Sequence, residues 1–224
     1  MTLRDHWDKQ AQAWARFARE PGHDHGHEQL NFPPFLELLP PPPKRVLDLG
    51  CGEGRVGAVL VERGYEVMGV DSSETMVELA RDRHPALCAD AAALPFEDGS
   101  FDLAVAYMSL FTMDDLDGAI AEAGRVLLPG GLLCASVLHP LFSAGEWDGD
   151  RFTISGSYFE GETKVWQSDR NGIQVTFADR PIPLGRYAAA LENAGFLIER
   201  LREIPSEKGP FPLFLHIRAV KKSP

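Results

Sequence analysis

The spacing of apolar residues predicts one amphipathic helix, followed by alternating strands and helices. In residues 3–20, apolar side chains recur every three or four positions opposite a charged face, which is typical of a docking helix. A flexible polar stretch from Pro21 to His27 and a run of prolines at residues 40–43 should end this leader. A short apolar strand is then predicted at residues 46–49.

Strands and helices continue to alternate through the middle of the chain. The strand predicted at residues 101–107 is almost continuously apolar, as strands buried on both faces are. Regular alternation of this kind favours an α/β fold with a doubly wound parallel sheet. The other strands predicted in this part lie at residues 66–70, 86–89 and 132–138.

Residues 139–182 break this rhythm. Their apolar residues alternate at period two between turn residues, which predicts short antiparallel strands inserted as a cap. Helical spacing then resumes at Leu184, and the alternation from Phe211 to Ala219 predicts a last strand antiparallel to its neighbour. The expected organisation is a helical leader (1–43), a ligand-binding core (44–138), the inserted cap (139–182) and the closing part of the core sheet (183–224).

Composition narrows the class of protein. The 224 residues, 44% of them hydrophobic, suit one domain with an insertion. Because 33 acidic and 22 basic residues give a formal charge of −11, nucleic acid and anionic membranes are poor partners. The widely spaced cysteines 51, 88 and 134 predict free thiols in a reducing compartment. We therefore expect a cytoplasmic protein, monomeric or homodimeric.

The glycine loop and the acidic residues at the strand ends fall where a ligand should bind. In open α/β sheets, ligands bind beyond the carboxyl ends of the strands, at the point where strand order reverses. The first strand runs into Asp48-Leu-Gly-Cys-Gly-Glu-Gly54, and glycines let the backbone approach a ligand closely. Asp71 ends the second strand, where it can accept both hydroxyls of a ribose. Asp90 ends the third, where it can accept from an adenine amino group.

A dinucleotide site is the main alternative for this loop. Its fingerprint places a third glycine five positions after the first, but position 55 is Arg55. The observed G-x-G-x-G spacing, with Asp48 two residues before it, suits a ligand bearing an ammonium group better than a pyrophosphate. An NAD-dependent oxidoreductase and a non-catalytic binding module stay open as alternatives.

Five segments carry recognisable motifs: Val46–Arg55, Gly69–Ser73, Ala89–Ala91, Phe101–Leu103 and Arg125–Gly131. Together they resemble the successive motifs of class I S-adenosylmethionine-dependent methyltransferases. The resemblance covers about residues 44–138 and extends to the closing helix and strand, whereas the leader and the cap match only loosely. It implies a seven-stranded Rossmann-like sheet whose last strand is antiparallel.

The resemblance also implies a reaction and a set of contacts. S-adenosylmethionine would donate a methyl group to O, N or C of a small organic molecule, leaving S-adenosylhomocysteine. A methyltransferase acting on protein or RNA is the alternative, although the net charge disfavours RNA. The implied cofactor contacts are Asp48, Gly50, Cys51 and Gly52 with the methionine moiety, Asp71 with the ribose, Asp90, Ala91, Ser72 and Met76 around the adenine, and Tyr107 and Met108 beneath the sulfonium.

Methyl transfer from a sulfonium needs alignment and exclusion of water more than acid–base chemistry. A phenol, alcohol or ammonium acceptor would in addition need a base. His139, which follows the fifth strand, is the candidate base, because histidine titrates near neutral pH. The alternative is that His139 bonds loop backbone before Pro140.

Three further features could contribute to the site. His23, His25 and His27 have a spacing that could bind zinc, but no second segment offers matching ligands, so we expect no metal and a lid over the cofactor instead. Trp14 could form a wall of the cofactor pocket or simply belong to the core. Tyr158, Phe159, Trp166 and Phe177 could line an apolar substrate pocket, or they could form the core of the cap or a dimer contact.

Overall fold

A computed structural model describes residues 2–148, 151–154, 158–170, 172–207, 209 and 211–223. The α-helices are α1 (Leu3–Arg19), α2 (Phe32–Leu36), α3 (Arg55–Glu62), α4 (Glu74–Arg81), α5 (Leu116–Val126), α6 (Pro140–Ala144) and α7 (Leu184–Asn193). A π-helix spans Gly26–Asn31, and a 3₁₀ helix spans Leu110–Thr112. The strands are β1 (Arg45–Leu49), β2 (Glu66–Asp71), β3 (Ala86–Cys88), β4 (Phe101–Tyr107), β5 (Leu127–Leu138), β6 (Gly145–Asp148), β7 (Arg151–Ile154), β8 (Lys164–Arg170), β9 (Ile173–Asp179), β10 (Phe196–Pro205) and β11 (Pro212–Lys221).

Seven strands form one sheet in the order β10-β11-β5-β4-β1-β2-β3. The strands from β1 to β5 pair in parallel, and β11 runs antiparallel to both β5 and β10. The chain builds outward from β1 to β3 and then returns to β4 on the other side of β1. This confirms the predicted Rossmann-like sheet and places the reversal of strand order between β1 and β4.

The local sequence explains the elements around this reversal. Strand β4 is buried along nearly its whole length, as its continuous apolar sequence predicts. Helix α1 begins with a capping box, in which the side chains of Thr2 and Asp5 satisfy each other's backbone N–H groups. Helix α4 is capped by Ser73, whose hydroxyl accepts from the N–H of Met76. Both helices therefore start at fixed positions beside the sheet.

The inserted segment forms two separate hairpins, β6–β7 and β8–β9. Helix α1 packs on the second hairpin: the indole N–H of Trp7 donates to the carbonyl of Ala178 at 3.1 Å, and the N–H of Thr176 donates to the side chain of Gln10 at 3.1 Å. The leader and the inserted hairpin thus hold each other over one edge of the sheet.

The prediction of a flexible stretch at Pro21–His27 is wrong in part. The segment makes a turn and then enters the π-helix Gly26–Asn31, which continues directly into α2. Its backbone is hydrogen-bonded, for example from the N–H of Glu28 to the carbonyl of Asp24.

Cysteines 51, 88 and 134 are free thiols. None of the helices described is long and apolar enough to cross a membrane.

Candidate cofactor and acceptor site

A cavity of about 840 Å³ lies at the carboxyl ends of β1, β2 and β4, between the leader and the β8–β9 hairpin. Its volume is in the range of ligand pockets that hold small molecules and cofactors. The structure brings all the predicted cofactor contacts into the wall of this one cavity. They are Trp14, Asp48, Gly50, Cys51, Gly52, Asp71, Ser72, Met76, Asp90, Ala91, Tyr107 and Met108.

The glycine loop has a backbone that only glycine adopts readily. Gly50 and Gly52 have φ angles of 74° and 54°, in the left-handed region. A Cβ on Gly50 would also lie 2.5 Å from the Cβ of Ser109. The N–H groups of Gly50 and Cys51 both donate to the carbonyl of Val70, at 2.8 and 3.0 Å. The loop after β1 is therefore fixed against the end of β2.

Asp71 completes this fixation from the end of β2. One carboxylate oxygen accepts from the N–H of Gly52 and the other from the N–H of Ser73, both at 2.9 Å. Burial raises the pKa of Asp71 despite these hydrogen bonds. Each carboxylate oxygen has a second lone pair, so the group can still accept from a ligand hydroxyl.

Two buried carboxylates beside the loop lack partners for one oxygen each. Asp48 and Glu53 are each only 1% exposed, and within the described part of the chain neither Oδ2 of Asp48 nor Oε1 of Glu53 has a hydrogen-bond partner. Burial, together with the nearby negative charges of Asp71 and Glu53, raises the pKa of Asp48 to about 7. Both residues line the cavity, and carboxylates held in this way favour a cationic ligand.

Sequence reasoning missed Glu53, although an acidic residue inside the glycine loop was a visible signal. Its other oxygen, Oε2, lies 3.4 Å from Nε of Arg19 in the leader and 3.6 Å from Nε of Arg83. The leader is thus tied to the cofactor loop by an ion pair. A second ion pair, 2.7 Å long, joins Arg55 to Asp24, and the same guanidinium lies 5.0 Å from the ring centre of Trp14.

The π-helix adds side chains that the sequence left undecided. His27 lines the cavity, and its Nδ1 shares a hydrogen bond of 3.0 Å with the hydroxyl of Tyr107. Burial and the charge of Arg55 lower the pKa of His27 to about 4, so the ring is neutral at pH 7. His25 is exposed and pairs with Glu207 at 3.2 Å. Among the residues that the structure describes, no three His, Cys, Asp or Glu side chains group as metal ligands.

Asn31, at the end of the same π-helix, is held by a buried network. Its Oδ1 accepts from Nε2 of His216 at 2.6 Å and from the hydroxyl of Ser136 at 2.9 Å. The network reaches the sulfur of Met108, which lies 3.7 Å from the same hydroxyl. Met108 is non-glycine yet has a φ of 57°, a strained conformation of the kind that clusters at ligand sites.

His139 lies at the N-terminus of α6 and is not part of the cavity wall. Its Nδ1 accepts from the N–H of Leu141 at 3.2 Å, and its Nε2 donates to Glu203 at 2.9 Å. Burial lowers its pKa. Both ring nitrogens are therefore engaged, which favours the backbone-bonding alternative over the role of base that the sequence suggested.

The predicted cap aromatics divide into two groups. Trp166 and Phe177, on the β8–β9 hairpin, line the cavity and stack with ring centres 4.1 Å apart. Tyr158 instead accepts from the N–H of Leu184, and Phe159 is 78% exposed; neither lines the cavity. Trp7 and Phe17 of the leader also face the cavity. The acidic glycine loop and a group of aromatic rings therefore wall the same cavity, and Trp14 joins the two through its edge-to-face contacts with Trp7 and Phe177.

Comparison with known proteins identifies the family. Residues 47–135 match the sequence model of a methyltransferase domain. The chain is 42% identical over 205 residues to the malonyl-[acyl-carrier protein] O-methyltransferase of Salmonella typhimurium, covering 77% of this chain and 79% of that protein. It is 31% identical over 178 residues to the biotin biosynthesis bifunctional protein BioHC of Saccharophagus degradans, covering 76% of this chain but 30% of that longer protein.

A solved structure supports the same family assignment. The crystal structure of an S-adenosylmethionine dependent methyltransferase from Mesorhizobium loti superposes with a TM-score of 0.70 at 26% identity, over 85% of this chain and 97% of that one. The chain belongs to the class I S-adenosylmethionine-dependent methyltransferases, and S-adenosylmethionine is its cofactor. The site fits this cofactor, because the unpartnered oxygens of Asp48 and Glu53 suit a ligand that carries an ammonium group and a sulfonium.

Proposed function

We propose that this enzyme methylates a small organic molecule at O, N or C. The observation that carries the proposal is the continuity of the cavity, which joins the glycine loop to the rings of Trp7, Trp166 and Phe177. A donor held at the loop and an acceptor held against the rings would share one enclosed space. The proposal includes a cytoplasmic enzyme that works as a monomer or homodimer.

The proposed roles of the residues follow from their positions. Asp48 and Glu53 bind the ammonium group of the cofactor, Asp71 binds its ribose, and Asp90 lies beside its adenine. When bound, the cofactor supplies an activated methyl group on a good leaving group. The protein's part is then to align the acceptor and exclude water, which the apolar rings and the leader do by covering the cavity.

The covered cavity favours a small acceptor over a macromolecule. Two ion pairs, Arg19–Glu53 and Arg55–Asp24, hold the leader down at the cofactor end. A leader held in this position leaves less room for a folded RNA or protein surface than for a small molecule. The net charge of −11 further disfavours RNA.

A second candidate comes from the Salmonella typhimurium relative, whose name states O-methylation of a malonyl group on acyl-carrier protein. Here a short acyl chain, presented by a carrier protein, would enter the same cavity. The cationic side chains of Arg4 and Lys164 line the cavity and could meet its carboxylate.

The test is transfer of a labelled methyl group from S-adenosylmethionine to a panel of acceptors. The panel contains phenols, alcohols, amines and carboxylic acids of low mass, and malonyl-acyl-carrier protein. Methylation of a small molecule supports the first candidate, whereas labelling of the carrier protein alone supports the second. Cofactor binding without transfer to any of them contradicts both.

A further inference from the structure

Asp179, the last residue of β9, is a buried carboxylate in the cavity wall, 6% exposed. Its Oδ1 accepts from the indole N–H of Trp166 at 3.2 Å. Among the residues that the structure describes, this indole makes the one side-chain hydrogen bond to the carboxylate. Carboxylates this deeply buried are almost always paired with a cation or fully hydrogen-bonded.

No lysine or arginine among the described residues comes within ion-pair distance of Asp179. Lys164 stands opposite in the strand register, but its Nζ donates to the carbonyl of Gly145 at 3.3 Å and lies 4.0 Å from Glu146. The guanidinium of Arg180 donates to the carbonyl of Asp114. Burial raises the pKa of Asp179, although the hydrogen bond from Trp166 and the nearby charge of Lys164 act in the opposite direction.

The surroundings of Asp179 suit a cation with an apolar body. Trp166, which holds the carboxylate, stacks on Phe177, and Phe177 meets the ring of Trp7 edge-on at 6.1 Å. Aromatic faces attract ammonium groups. Carboxylates also outnumber lysines and arginines in the cavity wall: the acids are Asp24, Asp48, Glu53, Asp71, Asp90, Asp114, Glu146 and Asp179, and the cations are Arg4, Arg55 and Lys164.

The end of β9 abuts the part of the sheet where transfer should occur. The N–H of Arg180 donates to the carbonyl of Phe111 at 3.1 Å, and Phe111 lies in the 3₁₀ helix just after β4. Phe111 and Met108, the residue directly after β4, both line the cavity. An acceptor bound by Asp179 would therefore lie beside the expected position of the sulfonium.

We propose that the methyl acceptor is an amine on an aromatic or apolar body and that Asp179 binds it, an assignment that rests on the proposed function. The carboxylate takes one proton from the bound ammonium, which gives a carboxylic acid and a neutral amine. The nitrogen lone pair then forms the N–C bond as the C–S bond of the methyl donor breaks. The sulfonium becomes a neutral thioether, and the positive charge passes to the N-methylated product.

The experiment uses matched acceptors that differ only in the reacting group: phenethylamine against 2-phenylethanol, and tryptamine against tryptophol, with phenylacetate as an acid. Transfer of a labelled methyl group is measured with the full-length enzyme. The wild-type enzyme should methylate the amines with a kcat/KM at least about tenfold above that of the alcohols, since a charge-assisted hydrogen bond has that magnitude.

Asp179→Asn keeps an oxygen for the indole N–H of Trp166 but removes the charge. It should lower kcat/KM for the amines about 10- to 100-fold while leaving the affinity for S-adenosylhomocysteine unchanged. Asp179→Glu should recover part of the activity. The matched control is Glu162→Gln, which removes the same charge from an exposed residue outside the cavity and should change neither quantity.

Methylation of the alcohols or the acid but of no amine would overturn the inference and leave the proposed function standing. An amine preference that survives in a folded Asp179→Asn variant would also overturn the inference about Asp179 and leave the proposed function standing. Because the preference of the wild-type enzyme is measured without any substitution, a variant that fails to fold does not remove the test. If no acceptor is methylated, including those in the panel that tests the proposed function, both the inference about Asp179 and the proposed function are overturned.

Discussion

The carboxylate of Asp71 accepts a hydrogen bond from the N–H of Gly52, 2.9 Å away across the gap between β2 and the loop after β1. The residue expected to bind the ribose therefore also fixes the loop expected to hold the methionine moiety. Cofactor binding should depend on Asp71 through both contacts, one direct and one through the shape of the loop.

Replacing Asp71 with Ala should weaken cofactor binding without unfolding the chain. Each hydrogen bond to a charged acceptor contributes about 1.5–3 kcal/mol, so the dissociation constant of S-adenosylhomocysteine should rise at least tenfold. Titration calorimetry measures this constant, and a thermal melt checks the fold. Asp169→Ala, in the turn of the β8–β9 hairpin and outside the cavity, is the control. Wild-type affinity in the Asp71 variant would contradict the site assignment.

Cofactor affinity should fall as the pH drops through 7. The pKa of Asp48 is raised to about 7 in the unliganded protein, so its carboxyl is partly protonated at neutral pH. A cationic ammonium binds the ionised form, and binding must displace that proton. The dissociation constant of S-adenosylhomocysteine should therefore be about tenfold higher at pH 6 than at pH 8. Calorimetry in buffers of different ionisation enthalpy should show proton release.

The matched variant for this pH dependence is Asp48→Asn, which cannot titrate. It should bind more weakly at pH 8 and lose most of the dependence between pH 6 and pH 8. The same slope in variant and wild-type protein would show that another group, such as Asp71, is responsible.

His139→Ala should lower stability and leave catalysis unchanged. The imidazole accepts from the N–H of Leu141 at the start of α6, and loss of such a cap costs about 0.5–2 kcal/mol. Chemical denaturation measures the loss. The dependence of kcat on pH should match that of the wild-type enzyme once an acceptor is known. Loss of the acidic limb of that profile, which is the fall in kcat at low pH that protonation of a base produces, would instead restore His139 as the base.

The ion pair between Arg55 and Asp24 should slow cofactor release. Both side chains are about four-fifths buried, and the pair joins the leader to the start of α3. Arg55→Ala and Asp24→Ala should each speed dissociation of S-adenosylhomocysteine several-fold in stopped-flow experiments. The double variant should show a coupling energy of about 1 kcal/mol. Strictly additive effects would mean that the two residues act on release independently.

Much of the fold was predictable from the sequence because periodic burial determines it. The helical spacing of residues 3–20 and the continuous apolar run of β4 predicted those elements closely. One strand boundary was misplaced: the strand predicted at residues 132–138 begins at Leu127, so β5 includes the turn residues Pro129–Gly131 through an irregular register with β4. Local turn chemistry is overridden there by pairing with the neighbouring strand.

The site residues were predictable from the sequence only where they belong to a recognisable motif. The acids at the strand ends and the glycine loop lie together because the topology of a parallel sheet brings them together. His27 was undecided because a polar stretch without periodicity does not reveal a π-helix. Asp179 and the burial of Glu53 depend on contacts between distant segments: α1 against β9, and Arg19 against the glycine loop. The spacing of residues along the chain does not predict such contacts.

The central claim is that one acidic cavity binds S-adenosylmethionine, and thermal melting with separate ligands tests it most directly. The ligands are S-adenosylmethionine, S-adenosylhomocysteine and NADH. A ligand at 100 times its dissociation constant stabilises the protein by about 2.7 kcal/mol, which for a chain of this size raises Tm by about 5–10 °C. We expect this rise with the first two ligands and none with NADH. A rise with NADH alone would contradict the account and support a dinucleotide site.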